Sequence, residues 1–148
     1  MPISLNPMMM RAVIMDHYDN PRHKHYPDGD GYESLHSKSP NCIDDITLYV
    51  KYDENNVVDD CCFEGIACTI STSATDIMCD LVIGKTKQEA KYIIEQYLNM
   101  IHEKEFDDFV LDEAIVFINT SKQAARIKCA TIGWDALNNI LDGENHVK

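Results

Sequence analysis

Four side chains in this sequence could hold a metal ion between them. Cys42 and Asp44 are separated by a single residue, Cys68 follows in the next part of the chain, and Cys129 lies near its far end. Three thiolates and a carboxylate are donors that suit Zn²⁺ in a tetrahedral site. The spacing matches no compact zinc-ribbon pattern, however, and cysteines are often small buried hydrophobic residues. Spacing alone therefore leaves both interpretations open.

The segments around these residues predict a hairpin that would gather the first three of them. Residues 46–52 alternate apolar and polar side chains, residues 53–56 read as a turn, and residues 57–64 as a second strand. Antiparallel pairing sets the start of the first strand beside the end of the second. We therefore expect the first three side chains at one edge of the sheet. The fourth, Cys129, would have to arrive from the last helix, which the sequence alone does not establish.

Helices are predicted for most of the remaining chain. Periodic apolar residues predict helices in residues 5–19, from Cys68 to Gly84, and a shorter one in Val110–Ile118. A capping box at Thr86–Glu89 predicts the start of another helix. An N-cap in Asn119–Ser121 predicts the start of the last helix, which ends at Gly143. A short strand is expected near Tyr32–His36. Strands followed by helices favour an α+β class, a small antiparallel sheet with helices packed on one face. The length of 148 residues, without repeat or linker, predicts one domain over residues 1–148.

Composition excludes several classes of partner. Hydrophobic residues make up 45%, enough for a core, and 25 acidic against 13 basic residues give a net charge of −12. Such a surface repels nucleic-acid phosphates and anionic membranes. No apolar run approaches the roughly 18 residues of a membrane span, and the first residues lack the pattern of a signal peptide. We therefore expect a cytoplasmic protein whose cysteines serve metal binding or thiol chemistry. The acidic segment, residues 103–113, is interpreted as a solvated face, with a docking patch as the alternative.

Four motifs together resemble those of the NifU/IscU/SufU family of iron–sulfur cluster assembly proteins. In chain order they are the opening signature Asp16–Arg22 (DHYDNPR), the first cysteine motif Pro40–Asp45 (PNCIDD), the second Phe63–Ser71 (FEGIACTIS), and the third Arg126–Ala130 (RIKCA) with Trp134. Their order and separation cover residues 5 to 141. The resemblance implies a SufE/NifU-like fold and a NifU-N-like (SufU/IscU) domain.

In two details the sequence resembles the SufU branch of that family. Lys128 stands where IscU-type scaffolds carry a histidine before the third cysteine, and the long stretch after the second cysteine contains the acidic segment. Two positions depart from the family pattern, because Ile43 and Ala67 replace the usual glycines beside the first and second cysteines. A missing glycine restricts positive φ and close backbone approach, so the loop geometry at the site is expected to differ.

The resemblance implies a zinc-dependent sulfur acceptor that takes persulfide sulfur from a SufS-like cysteine desulfurase, a pyridoxal-phosphate enzyme. It assigns Cys42, Asp44, Cys68 and Cys129 as zinc ligands. A partner histidine would take over one coordination position and free Cys42 as the acceptor. The alternative is an IscU-type scaffold that holds a transient [2Fe–2S] cluster on the same residues. A purely structural zinc domain is a third interpretation, and whether the chain is a true sulfurtransferase enzyme stays open.

Other residues receive supporting or structural interpretations. Arg126 lies about one helical turn from Cys129, where a cation would balance the excess negative charge of the site; a surface ion pair is the alternative. Three further cysteines, termed the core cysteines, are expected to be buried fillers; they are Cys61, Cys62 and Cys79. His17 is interpreted as a hydrogen-bonded structural residue, and His23 and the remaining histidines as solvated.

Overall fold

Three strands and four α-helices follow one another in the predicted order in the computed structural model, which describes residues 6–39 and 43–143. The elements are α1 (Pro7–Asp19), β1 (Glu33–Lys38), β2 (Asp45–Tyr52), β3 (Val58–Ile66), α2 (Thr69–Val82), α3 (Lys87–Ile101), two 3₁₀ segments (Asp108–Val110 and Asp112–Lys122) and α4 (Ala124–Asp142). The predicted α+β class is confirmed.

The sheet is antiparallel throughout, with the strand order β1-β2-β3. Its central strand buries Ile46, Leu48 and Val50 on one face, as the alternation of apolar residues predicts. Gly65 pairs with Ile46 near the end of the hairpin and adopts φ +126°. A Cβ there would lie 2.2 Å from the carbonyl oxygen of Asp45, so only glycine allows the strands to approach this closely at that edge.

The helices build the core against the buried face of the sheet. The indole of Trp134 in α4 stacks on the ring of Tyr97 in α3, with ring centroids 3.7 Å apart. Trp134 Nε1–H donates to the carbonyl of Ala74 in α2 at 3.2 Å, and the Tyr97 hydroxyl donates to the carbonyl of Ala130 at 2.8 Å. These bonds satisfy both buried polar groups and lock the three helices together. Within the described ranges, no helix is at once long and apolar enough to cross a membrane.

Local signals locate most helix ends correctly, with one error. The capping box at Thr86 forms in full, and Gly143 ends α4 in the left-handed conformation. The predicted N-cap in Asn119–Ser121 is wrong, because those residues belong to the second 3₁₀ segment and α4 begins one residue after Gln123. The Gln123 N–H donates to the Thr120 carbonyl at 2.9 Å, an i→i+3 bond that continues the 3₁₀ pattern up to the start of α4.

Candidate metal centre

Asp44 and Cys68 meet at the open edge of the β2–β3 hairpin. Asp45 and Ile66 form the terminal residue pair of β2 and β3. Asp44, which precedes Asp45, therefore lies beside the segment that follows Ile66 and contains Cys68. The Cys68 N–H donates to Asp44 Oδ1 at 2.9 Å, and the Asp44 side chain is buried. The hairpin thus places the carboxylate against the second cysteine, as the strand pattern predicts.

Cys68 is also the N-cap of α2. Its Sγ accepts a hydrogen bond from the Ser71 N–H at 3.4 Å, and its carbonyl accepts from the Thr72 N–H at 2.9 Å. The first backbone N–H groups of a helix have no partner within the helix, and here one of them bonds to the sulfur. The start of α2 therefore fixes the position of the Cys68 sulfur at the edge of the hairpin.

Cys129 reaches the same place from α4, about 60 residues further along the chain. A potential ligand atom from each of Asp44, Cys68 and Cys129 lies within 4.8 Å of the other two. The approach of α4 to α2 depends on Gly133, one turn after Cys129, because a Cβ there would lie 2.3 Å from Thr75 Oγ1. Sequence reasoning missed this glycine; the signal was a glycine interrupting the apolar stripe of the last helix.

The second oxygen of Asp44 supports a metal-binding interpretation. Among the described residues Asp44 Oδ2 is buried and accepts no hydrogen bond. A buried carboxylate oxygen without a partner is costly, and a metal ion is one of the few groups that would relieve the cost. Two cysteine sulfurs and a carboxylate oxygen at this spacing fit three of the four positions of a zinc site. Cys42, the remaining predicted ligand, lies outside the described residues.

The two basic residues around Cys129 are exposed. Arg126 lines a cleft with Thr69, the residue after Cys68, and Lys128 lines another beside Ser39. The surface ion pair considered for Arg126 is absent among the residues that the structure describes. The guanidinium is therefore available at the rim of the cleft.

The core cysteines take no part in the centre and are buried, as expected. Cys79 Sγ in α2 lies 3.4 Å from Cys61 Sγ in β3. Burial raises the pKa of the Cys62 thiol to about 12, with the charge of Asp60 adding to the effect. Burial likewise raises the pKa of Cys79 well above its ordinary value. The thiols of Cys62 and Cys79 are therefore held in the protonated, unreactive form.

The acidic segment is only partly a solvated face. Glu105 and Asp108 are exposed. Asp107 instead caps the first 3₁₀ segment by accepting from the Phe109 N–H, and it also accepts from the Tyr92 hydroxyl at 3.0 Å. Glu113 lies 2.8 Å from the ring of His17. Two acidic residues of the segment, Asp107 and Glu113, therefore have structural partners.

Comparison with known proteins finds similarity over most of the chain. Residues 9–141 match the family described as NifU-like N terminal domain. The chain is 38% identical to the iron-sulfur cluster assembly scaffold protein IscU of Streptococcus pyogenes serotype M1, over 93% of this chain and 84% of that protein. It is 37% identical to the zinc-dependent sulfurtransferase SufU of Bacillus subtilis (strain 168), over 87% and 86%.

A solved structure agrees with these sequence matches. It is described as a proposed iron-sulfur cluster assembly scaffold protein for the SUF system from thermophilic Fervidobacterium islandicum AW-1. The chain superposes on it with a TM-score of 0.77 at 33% identity, covering 89% of this chain and 96% of that one. Fold and sequence therefore identify the same family.

Proposed function

This chain belongs to the NifU-like N-terminal domain family of iron–sulfur cluster assembly proteins, and on that premise we propose that it is a zinc-dependent sulfur acceptor. The observation that carries the proposal is the buried, unpartnered oxygen of Asp44 beside two cysteines. Its sulfur donor is a persulfide on a cysteine desulfurase, and the sulfur is destined for cluster assembly. The sequence identity of this chain to a relative named as a zinc-dependent sulfurtransferase supports the proposed role as a zinc-dependent sulfur acceptor.

Asp44, Cys68 and Cys129 would hold the metal, with Cys42 as the fourth ligand. Bound zinc would keep the cysteines deprotonated at neutral pH. The Ser71 N–H at the N-terminus of α2 donates to the sulfur of Cys68. With zinc bound, the sulfurs of the centre would be thiolates, and this hydrogen bond would hold one of them in position.

The transfer itself is a thiol–disulfide type exchange. The Cys42 thiolate attacks the outer sulfur of the desulfurase persulfide and forms a new sulfur–sulfur bond. The bond between that sulfur and the desulfurase cysteine breaks, and the desulfurase sulfur leaves with the electron pair as a thiolate. The reaction moves one sulfur atom and needs no external oxidant or reductant.

Exposed apolar and basic side chains around the centre suit contact with a protein partner. Ile43 is 63% exposed beside Asp44, and Ile66 is 68% exposed at the end of the hairpin. Large apolar side chains that face solvent next to a reactive group favour burial in a complex. Arg126, exposed at the rim, supplies a positive charge near the anionic centre and is proposed as a supporting residue.

A scaffold for a [2Fe–2S] cluster is the second candidate, favoured by the identity to a relative named as an IscU scaffold. The same thiolates could bind iron. Elemental analysis with an absorption spectrum of protein isolated without chelators separates the two functions. One colourless zinc per chain supports the acceptor, whereas two irons with sulfide and visible charge-transfer bands support the scaffold.

The acceptor role is tested by two variants whose loss of sulfur transfer should respond differently to added zinc. Cys42→Ala removes the attacking sulfur, so sulfur transfer should vanish and excess zinc should not restore it. Asp44→Ala keeps the sulfurs but removes one metal ligand, so activity should fall with zinc content and return in part when zinc is added. Cys61→Ala, which removes a buried thiol of the core, is the matched control and should keep its zinc.

Mass spectrometry then locates the transferred sulfur. After incubation with desulfurase and cysteine, a mass increase of about 32 Da, one sulfur atom, is expected on the peptide that contains Cys42. The adduct on Cys68 or Cys129, with Cys42 unmodified, would contradict the assignment of the acceptor.

A further inference from the structure

A second set of metal-binding side chains lies towards the other end of α2 from Cys68. The His17 cluster, defined as His17, Asp80 and Glu113, brings one residue each from α1, α2 and the second 3₁₀ segment. One potential ligand atom from each lies within 4.8 Å of the other two. Asp80 is 12 residues beyond Cys68, which at 1.5 Å per residue separates the two sites by about 18 Å along the helix.

A buried carboxylate holds the His17 ring in position. His17 is 1% exposed, and its Nδ1 lies 2.5 Å from Oδ2 of Asp76, which is fully buried. The other oxygen of Asp76 accepts from the backbone N–H groups of Arg22 and His23, at 2.9 and 2.8 Å. With Nδ1–H donating to this carboxylate, the ring is held with Nε2 directed at Glu113. Histidines that bind metals are held in this way, with the other ring nitrogen donating to a carboxylate.

The separation of His17 and Glu113 is close to that of two neighbouring ligands of one metal ion. His17 Nε2 lies 2.8 Å from Glu113 Oε1. Two ligands that each sit about 2.0–2.2 Å from one ion are about 3 Å apart when they occupy adjacent positions of an octahedral shell, at about 90° to each other. A bound ion would take the place of the proton now shared by this pair, and the side chains would need to move little. The acid side chains are only part-buried, at 42% exposed for Asp80 and 38% for Glu113, so an ion can enter from solvent.

His23 adds a fourth donor beside the cluster. Its Nε2 lies 2.6 Å from Asp80 Oδ1, and its side chain is 16% exposed, so the expectation of a solvated histidine was wrong. Arg22 interacts electrostatically with Asp76 and Asp80, but its guanidinium pairs directly with Asp16, at 2.7 Å. Its charge is therefore shared with a carboxylate outside the cluster. The cluster keeps an excess of negative charge, which favours a divalent cation.

We propose that His17, Asp80 and Glu113 form a binding site for a divalent first-row transition metal, with His23 as an additional donor. Imidazole and carboxylate donors without a thiolate suit Mn²⁺ and Fe²⁺, in contrast to the cysteine-rich centre. The site is independent of the proposed sulfur transfer, because it shares no residue with the first centre.

Mn²⁺ is the probe, because it prefers oxygen and nitrogen donors to thiolates. Titration of the full chain, with free Mn²⁺ followed by electron paramagnetic resonance, should show one site per chain. The variant Asp80→Asn/Glu113→Gln should bind at least tenfold more weakly, since loss of an orienting residue alone costs about 10–100-fold. Glu105→Gln/Asp108→Asn removes the same charge from exposed acids and should bind as the unmodified chain does. Equal binding by the two double variants, or no saturable site, would overturn the proposal.

Paramagnetic broadening in the unmodified chain keeps the test valid even if the first variant does not fold. Substoichiometric Mn²⁺ should broaden the ring proton signals of His17 and His23 before those of other histidines. Broadening that is absent, or uniform over the histidines, would show only surface counterion binding and would reject the site. Absorption of Co²⁺ bound to thiolates reports the first centre separately, so failure of either proposal is recognised without the other.

Discussion

The contact between Gly133 in α4 and Thr75 in α2 allows a quantitative prediction about how Cys129 reaches the metal centre. In an unhindered helix, replacing glycine by alanine stabilises by about 1 kcal/mol. Here the new Cβ would lie 2.3 Å from Thr75 Oγ1 and 2.9 Å from its Cγ2, so the helices must separate. Overpacking of this kind costs about 1–3 kcal/mol, and the severity of the clash favours the upper half of that range. We expect Gly133→Ala to destabilise by about 1–2 kcal/mol.

Urea unfolding of the metal-free protein, followed by circular dichroism, measures the effect without a contribution from zinc. With a slope of about 2 kcal/mol per molar urea, the midpoint should fall by roughly 0.5–1 M. Zinc affinity should fall as well, because Cys129 lies one turn from the displaced contact.

A compensating change tests whether the clash is the cause. Thr75→Ala removes the two atoms nearest the new Cβ and loses no hydrogen bond, since Thr75 Oγ1 has none among the described residues. The double variant should therefore be more stable than the sum of the single changes predicts. An unfolding midpoint for Gly133→Ala at or above that of the unmodified chain would refute the argument.

Two further predictions concern the metal and the thiols. With free zinc at about 1,000 times its dissociation constant, chelation should lower the melting temperature by roughly 8–16 °C; an unchanged melt after proven loss of metal would contradict the site. In metal-free folded protein at pH 8, iodoacetamide should modify Cys68 and spare the core cysteines. Cys62, with its pKa raised to about 12 mainly by burial, stays protonated at that pH and should react only after urea unfolding. Peptide mass spectrometry measures both rates, and labelling of Cys62 as fast as Cys68 in folded protein would contradict the burial argument.

Local signals in the sequence determined most of the secondary structure. α1 ends just before Asn20-Pro21, because proline cannot continue a helix. The capping box at Thr86 begins α3, and alternation of apolar residues produces the β2–β3 hairpin. The hairpin brings Asp44 to Cys68 because register in a short antiparallel pair follows from the two strands and their turn. The family was also evident from motifs in the sequence.

Tertiary packing decided the rest of the candidate centre and the whole of the second site. Cys129 and Cys68 meet only because α4 packs closely on α2 at Gly133, and such a contact depends on side-chain volumes far apart in sequence. His17 gave no sequence signal of its acidic neighbours, because they come from α2 and a 3₁₀ segment. Sequence spacing carries information about neighbours within an element or a hairpin, whereas the distance between separate helices is set by how their surfaces pack.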